Sequence, residues 1–247
     1  MELWHLPLLF LGGLACGIIN AMAGGGSFVT LPLLLWMGLP PQVANATNRV
    51  AILLQTGAGI ATYHQAGVRP WRKLPPVALP TAAGALLGAW LAAHLDPDSF
   101  RKAMAVLFLI MAATVFFKPS RWSMPSGEER FKPYHYVIFF FLGIYGGFLQ
   151  AGLGILLTAM FVLVAGFDVV RGNAMKFGLA FIFTGVSLLL FSQAGLVRWL
   201  TGLALAAGTI TGGIIGAKLV IARGATWVRF FVAGSALAAV AKLLLQP

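Results

Sequence analysis

Two short polar clusters interrupt an otherwise apolar chain: Asn45-Ala46-Thr47-Asn48-Arg49 and Asn173-Ala174-Met175-Lys176. On a helix Asn45, Asn48 and Arg49 fall at i, i+3 and i+4 and share one face, as do Asn173 and Lys176. Arg49 runs straight into a long apolar stretch, and Lys176 sits between Met175 and Phe177. Cations inside apolar segments are costly and point to function. The six acids are Glu2, Asp96, Asp98, Glu128, Glu129 and Asp168, and all lie outside the long apolar stretches. Neither cation therefore has a carboxylate to pair with, and cations accompanied only by amides suit an anion.

Two glycine-rich breaks supply a second set of anion donors. Gly24-Gly25-Gly26-Ser27 and Ala151-Gly152-Leu153-Gly154 each split a hydrophobic run. A helix that restarts after a break presents N–H groups and a positive dipole end, and glycine lets a ligand approach that backbone closely. Ser27 is the natural cap of the second arm. The expected anion-binding set is therefore Gly24, Gly25, Gly26, Ser27, Asn45, Asn48, Arg49, Gly152, Gly154, Asn173 and Lys176. Gln55 and Gln150 are further candidates to line a cavity, whereas Gln65 and Gln193 read as loop caps.

No His/Asp/Glu constellation lies within the apolar runs, so no metal, cofactor or catalytic residue is expected, and an intramembrane enzyme lacks a nucleophile–base pair. Buried carboxylates for proton relay are missing too, and His64 and His94 fall near span ends. Any coupling is expected to use the substrate's own protonation or gradient.

The elements that must position these groups follow from composition. Of 247 residues 60% are hydrophobic and only 9% charged, with a mean hydropathy of +0.90. Soluble domains carry about 25% charged residues, so this is an all-α, polytopic membrane protein. Continuous rather than alternating apolar runs exclude a β-barrel. The net charge of +11 belongs to loops and helix ends that meet anionic lipid, not to nucleic-acid binding. The lone Cys16 excludes an intrachain disulfide, and the N-terminal segment reads as a first helix, not a removable signal peptide.

Shifted by 128 residues, the sequence falls on itself without gaps. Gly24 meets Gly152, Gly26 meets Gly154, Gly38 meets Gly166, and Asn45-Ala46 meets Asn173-Ala174. Gln65-Ala66-Gly67 meets Gln193-Ala194-Gly195, Trp71 meets Trp199, and Gly84 and Gly88 meet Gly212 and Gly216. Two homologous halves are expected, 1–118 and 134–247, joined by a polar linker at 119–133. Duplicated architectures of this kind are common in secondary transporters.

Each half should hold a long leading segment (4–37 and 136–167) and three spans: 43–65, 73–94 and 99–118, then 170–193, 199–221 and 225–245. A leading segment of 34 residues would make about 51 Å of helix, against a hydrocarbon core of about 30 Å. It must break at its glycines, which makes it discontinuous or re-entrant, and such backbone survives only buried in protein or lining a cavity. A segment that returns to its own side gives three crossings per half and inverted repeats; one that crosses gives parallel repeats. The charges of the loops favour the inverted arrangement.

The residues GIINAMAGGGSFVTLPLLLWMGLPP, ANATNRVAILLQ, YHQAGV, GLGILLTAM and GNAMKF resemble the TauE/SafE sulfite exporter family, also described as the 4-toluenesulfonate uptake family. The resemblance implies movement of a sulfur oxyanion or organosulfonate, sulfite above all, across a bacterial inner membrane by a multi-pass protein. The expected partners are that small anion, membrane lipid and a second copy of the chain. Alternating access around a central site is the expected mechanism, with a passive anion channel as its rival.

Overall fold

Prolines and glycines, more than the apolar pattern, set where the helices start and stop. The computed structural model describes residues 5–116 and 129–245, with side chains described for 5–111 and 129–223. Residues 119–128 of the expected linker, with 117 and 118 before it, lie outside the described residues. In chain order the helices are α1 (His5–Met22), α2 (Ser27–Trp36), α3 (Pro41–Gln65), α4 (Pro75–His94), α5 (Pro97–Phe116), α6 (Pro133–Phe148), α7 (Leu153–Ala159), α8 (Val169–Gln193) and α9 (Trp199–Leu245). A single turn of π-helix, Met160–Val164, extends α7. Helices α3, α4 and α6 open on a proline, whose missing N–H would be unbonded there anyway. Helix α8 opens on Asp168, whose Oδ1 accepts from the backbone N–H groups of Val170 and Arg171 at 2.9 Å each.

Among the described residues four segments are long and apolar enough to cross a membrane: α1, α4, α8 and Trp199–Arg223 of α9. Helix α3 is also long, but Asn45, Thr47, Asn48 and Arg49 lower its hydropathy. All four are buried inside the protein, so α3 is a central helix with its polar face turned inward. The break expected between spans 199–221 and 225–245 is corrected: α9 runs unbroken through it. That stretch contains one glycine, Gly224, and no proline, and a single interior glycine costs a helix only about 1 kcal/mol.

The expected breaks at the leading segments are present. Between α1 and α2, Gly24 takes φ 89°, and between α6 and α7, Gly152 takes φ 76°. Helix α2 then folds back along α1. Gly26 N–H donates to Asn20 Oδ1 at 2.7 Å, Thr30 lies against Cys16, and Leu33 reaches Gly12. Rising numbers on α2 thus meet falling numbers on α1, which makes a helical hairpin.

Other pairings are set by small residues. Gly13 and Gly17 of α1 lie on the backbone of α9 near Leu205 and Thr209, and Gly212 and Gly216 of α9 lie on Leu14 and Ile18. On α4, Gly84 and Gly88 meet Phe140 and Ile144 of α6, while Gly143 and Gly147 of α6 meet Thr81 and Ala85. A methyl group at these positions would strike a neighbouring backbone, or at Gly216 the Ala21 Cβ, so the stripes let helices approach closely. Both pairs, α1 with α9 and α4 with α6, run in the same direction. Helices α3 and α8 run in opposite directions: Leu53, Gly59 and Tyr63 meet Gly185, Phe177 and Asn173.

An ion cluster ties the loop after α3 to the start of α8. Glu129 accepts from Lys73 at 2.5 Å and from Arg171 at 2.9 Å, and it is far more buried than either cation.

Candidate functional site

Helix α7 with its π-turn folds back on α6 in the same way, with Leu153 on Gly146 and Phe161 on Phe139, and the two hairpins meet tip to tip. Gly24 of the first lies directly on Gly154 of the second, so closely that a side chain on either would overlap the other's backbone. Phe28 of α2 packs on Gly152 and, edge to face, on Phe108 of α5. Broken helices leave carbonyls without partners at their ends, and inside a membrane no water replaces them. Those carbonyls engage Asn45, Arg49, Asn173 and Lys176.

Helix α6 ends against α3. Arg49 donates through Nη1 to the Gly146 carbonyl at 2.5 Å and through Nη2 to the Gly147 carbonyl at 2.9 Å. Asn45 Nδ2 donates to the Phe148 carbonyl at 2.8 Å. The guanidinium is fully buried and also lies 5.4 Å from the ring centroid of Phe191. Helix α1 ends against α8 in the same manner. Asn173 Nδ2 donates to the Ala21 carbonyl at 2.7 Å and to the Tyr63 hydroxyl at 2.8 Å. Lys176 Nζ donates to the Asn20 carbonyl at 2.8 Å and more weakly to that of Ala21 at 3.3 Å. A cation at a helix C-terminus also opposes the negative end of the dipole.

A cavity of about 40 Å³ lies beside the hairpin tips. Its polar wall is formed by Asn20, Ser27, Gln55, Thr56, Gln150 and Lys176, its backbone wall by Gly24 and Gly154, and its apolar wall includes Ile52, Phe177 and Phe183. Lys176 is the one cation among the lining residues, and no acid is among them.

The structure therefore divides the expected set. Gly24, Ser27, Gly154 and Lys176 line the cavity. Asn45, Arg49 and Asn173 do not, because helix-end carbonyls take their donors. Asn48 is held within the protein, with Nδ2 donating to Ser27 Oγ at 3.2 Å and Oδ1 accepting from Thr30 at 2.8 Å. Gly25, Gly26 and Gly152 also stand outside the cavity wall. Gly26, not Ser27, precedes α2, and its N–H is satisfied by Asn20.

Asn20 was not expected. It also donates to Gln55 Oε1 at 3.2 Å, joining the hairpin to α3. Its signal in the sequence is an amide within an apolar run, four residues before Gly24, one helical turn from the break. Gln150 is distinctive in another way: among the described residues it is the one non-glycine with positive φ, 69°. Its Nε2 donates to Thr184 Oγ1 at 2.9 Å, while its buried Oε1 has no donor.

The chain is 29% identical to the probable membrane transporter protein ORF9 of Sinorhizobium sp, over 98% of this chain and 93% of that protein. It is 29% identical to a probable membrane transporter protein of Haemophilus influenzae, over 91% of this chain and 88% of that one. A shorter match, 32% identical over 42% of this chain and 22% of the other, is to the sulfite exporter TauE/SafE family protein 3 of Arabidopsis thaliana. No solved structure matches it significantly. The model of the family described as sulfite exporter TauE/SafE matches residues 9–243, and with nearly the whole chain covered, this protein belongs to that family of membrane transporters.

Proposed function

We propose that the protein carries a small sulfur oxyanion or sulfonate, sulfite foremost, across a bacterial inner membrane by alternating access around the cavity at the hairpin tips. The observation that carries this reading is the placement of Lys176. It is a lysine only 4% exposed, in a cavity wall free of acids, where two broken helices meet. Two carbonyls take two of its three N–H donors, which leaves one for a bound anion.

The two halves are read as inverted repeats. Support comes from the opposed directions of α3 and α8, whose bounds differ by 128 at both ends. The left-handed glycines fall in pairs with the same spacing: Gly24 with Gly152, Gly38 with Gly166, Gly67 with Gly195. Hairpins entering from opposite faces would leave the site near mid-membrane, and rocking of one half on the other would expose it to each side in turn.

Protein reconstituted into liposomes should take up sulfite with saturation, and sulfite on the far side should accelerate that uptake. Linear, unsaturable flux with large unitary currents would instead mark a channel.

A further inference from the structure

We infer that the cavity selects monoanions carrying a hydrogen-bond donor, such as hydrogen sulfite or a hydroxyalkanesulfonate, and that Gln150 makes the selection. The inference rests on the cavity being the anion site and adds which anions it takes.

The donors and acceptors of the wall can be assigned group by group. Asn20 is committed on both sides of its amide, to Gly26 N–H and to Gln55. Gln55 accepts from Asn20 through Oε1 and turns Nε2 to the Gly17 carbonyl. Thr56 donates its hydroxyl hydrogen to main-chain carbonyls of its own helix, Ile52 and Leu53. Ser27 Oγ accepts from Asn48, so its hydroxyl hydrogen remains for a ligand. Lys176 retains one N–H. Ser27, Lys176 and the second N–H of the Gln55 amide thus address an anion's oxygens.

Gln150 is the opposite kind of group. It is 8% exposed, its nitrogen is fixed on Thr184, and its oxygen meets no donor from the protein. An unpaired buried acceptor is destabilising, and it is most simply relieved by a donor on the ligand. A dianion has no hydrogen to offer and would meet this oxygen as a repulsive dipole. A protonated monoanion satisfies these donors and the Gln150 oxygen together.

The backbone gives an independent sign that this side chain is required. The N–H groups of Ala23 and Gly24 both return to the Ile19 carbonyl, and those of Leu149 and Gln150 both return to the Tyr145 carbonyl. Gly24 and Gln150 therefore close their helices in the same left-handed conformation, φ 89° and 69°. Glycine suits that position. Glutamine there is strained, and strain held against an available glycine marks a functional side chain.

The test uses two sulfonates of equal charge and similar size, hydroxymethanesulfonate and ethanesulfonate, with binding measured calorimetrically on the purified full chain. Wild type should bind the hydroxyl-bearing probe about tenfold more tightly. In Gln150→Met the two affinities should converge, with ethanesulfonate little changed. Gln150→Gly fits the left-handed backbone and removes the acceptor, so it carries the test if the methionine variant folds poorly. Equal affinities in wild type would overturn the selection by Gln150 while leaving the anion site standing. Failure of both probes and of sulfite to bind would remove the anion site, and the selection with it.

Discussion

Gly24→Ala should be the most damaging single methyl group in the protein. Two costs add at this residue. An alanine at φ 89° carries about 1–2 kcal/mol of left-handed strain. Its Cβ would also enter the backbone of Gly154, which has no flexible side chain to move away. Overpacking of this kind costs about 1–3 kcal/mol, so a total loss of about 2–5 kcal/mol is expected, together with loss of transport as the tips are forced apart. Two companion variants separate the contributions. Gly38→Ala has nearly the same backbone, φ 83°, but meets open space, and should lose only the strain. Gly154→Ala meets the same contact from the other side and does not carry the strain, because Gly154 lies in helical backbone. Unfolding of all three in detergent, followed by heat or denaturant, gives the comparison. Equal losses in Gly24→Ala and Gly38→Ala would show that the tips do not touch.

Arg49→Met should cost stability rather than affinity. The substitution keeps an unbranched side chain but strands the Gly146 and Gly147 carbonyls at the end of α6. Each stranded buried group costs about 1–3 kcal/mol, so the unfolding free energy should fall by about 2–6 kcal/mol. Protein that remains folded should bind sulfite nearly as wild type, since Arg49 does not line the cavity. Arg49→Lys should fall between the two, because a single ammonium spans two carbonyls less well than the planar fork. A stable Arg49→Met protein without affinity for sulfite would return Arg49 to the anion site.

The break in each leading segment was legible because it follows from length: no single helix of 34 residues fits the bilayer. The inward polar face of α3 was legible from the spacing of Asn45, Asn48 and Arg49. The partner of Arg49 was not. A buried cation without a carboxylate calls for an acceptor, and sequence cannot distinguish a bound anion from a main-chain carbonyl, which every residue carries. The same ambiguity covers Asn45 and Asn173. Lys176 differs because the carbonyls leave one of its donors over, a distinction that depends on geometry alone. Gln150 is hidden for another reason: nothing in the residues around it requires a left-handed backbone at that position. The continuity of α9 past Arg223 reflects an absence of proline, which the hydrophobic pattern does not register.

We propose that the cavity at the hairpin tips holds the anion through Lys176. Sulfite affinity of purified Lys176→Met, set beside Arg49→Lys and wild type, tests it most directly. A charge-assisted hydrogen bond contributes about 1.5–3 kcal/mol, so Lys176→Met should bind at least about tenfold more weakly. Arg49→Lys should bind as wild type does. The opposite ranking, with Lys176→Met at wild-type affinity and Arg49→Lys impaired, would contradict the account.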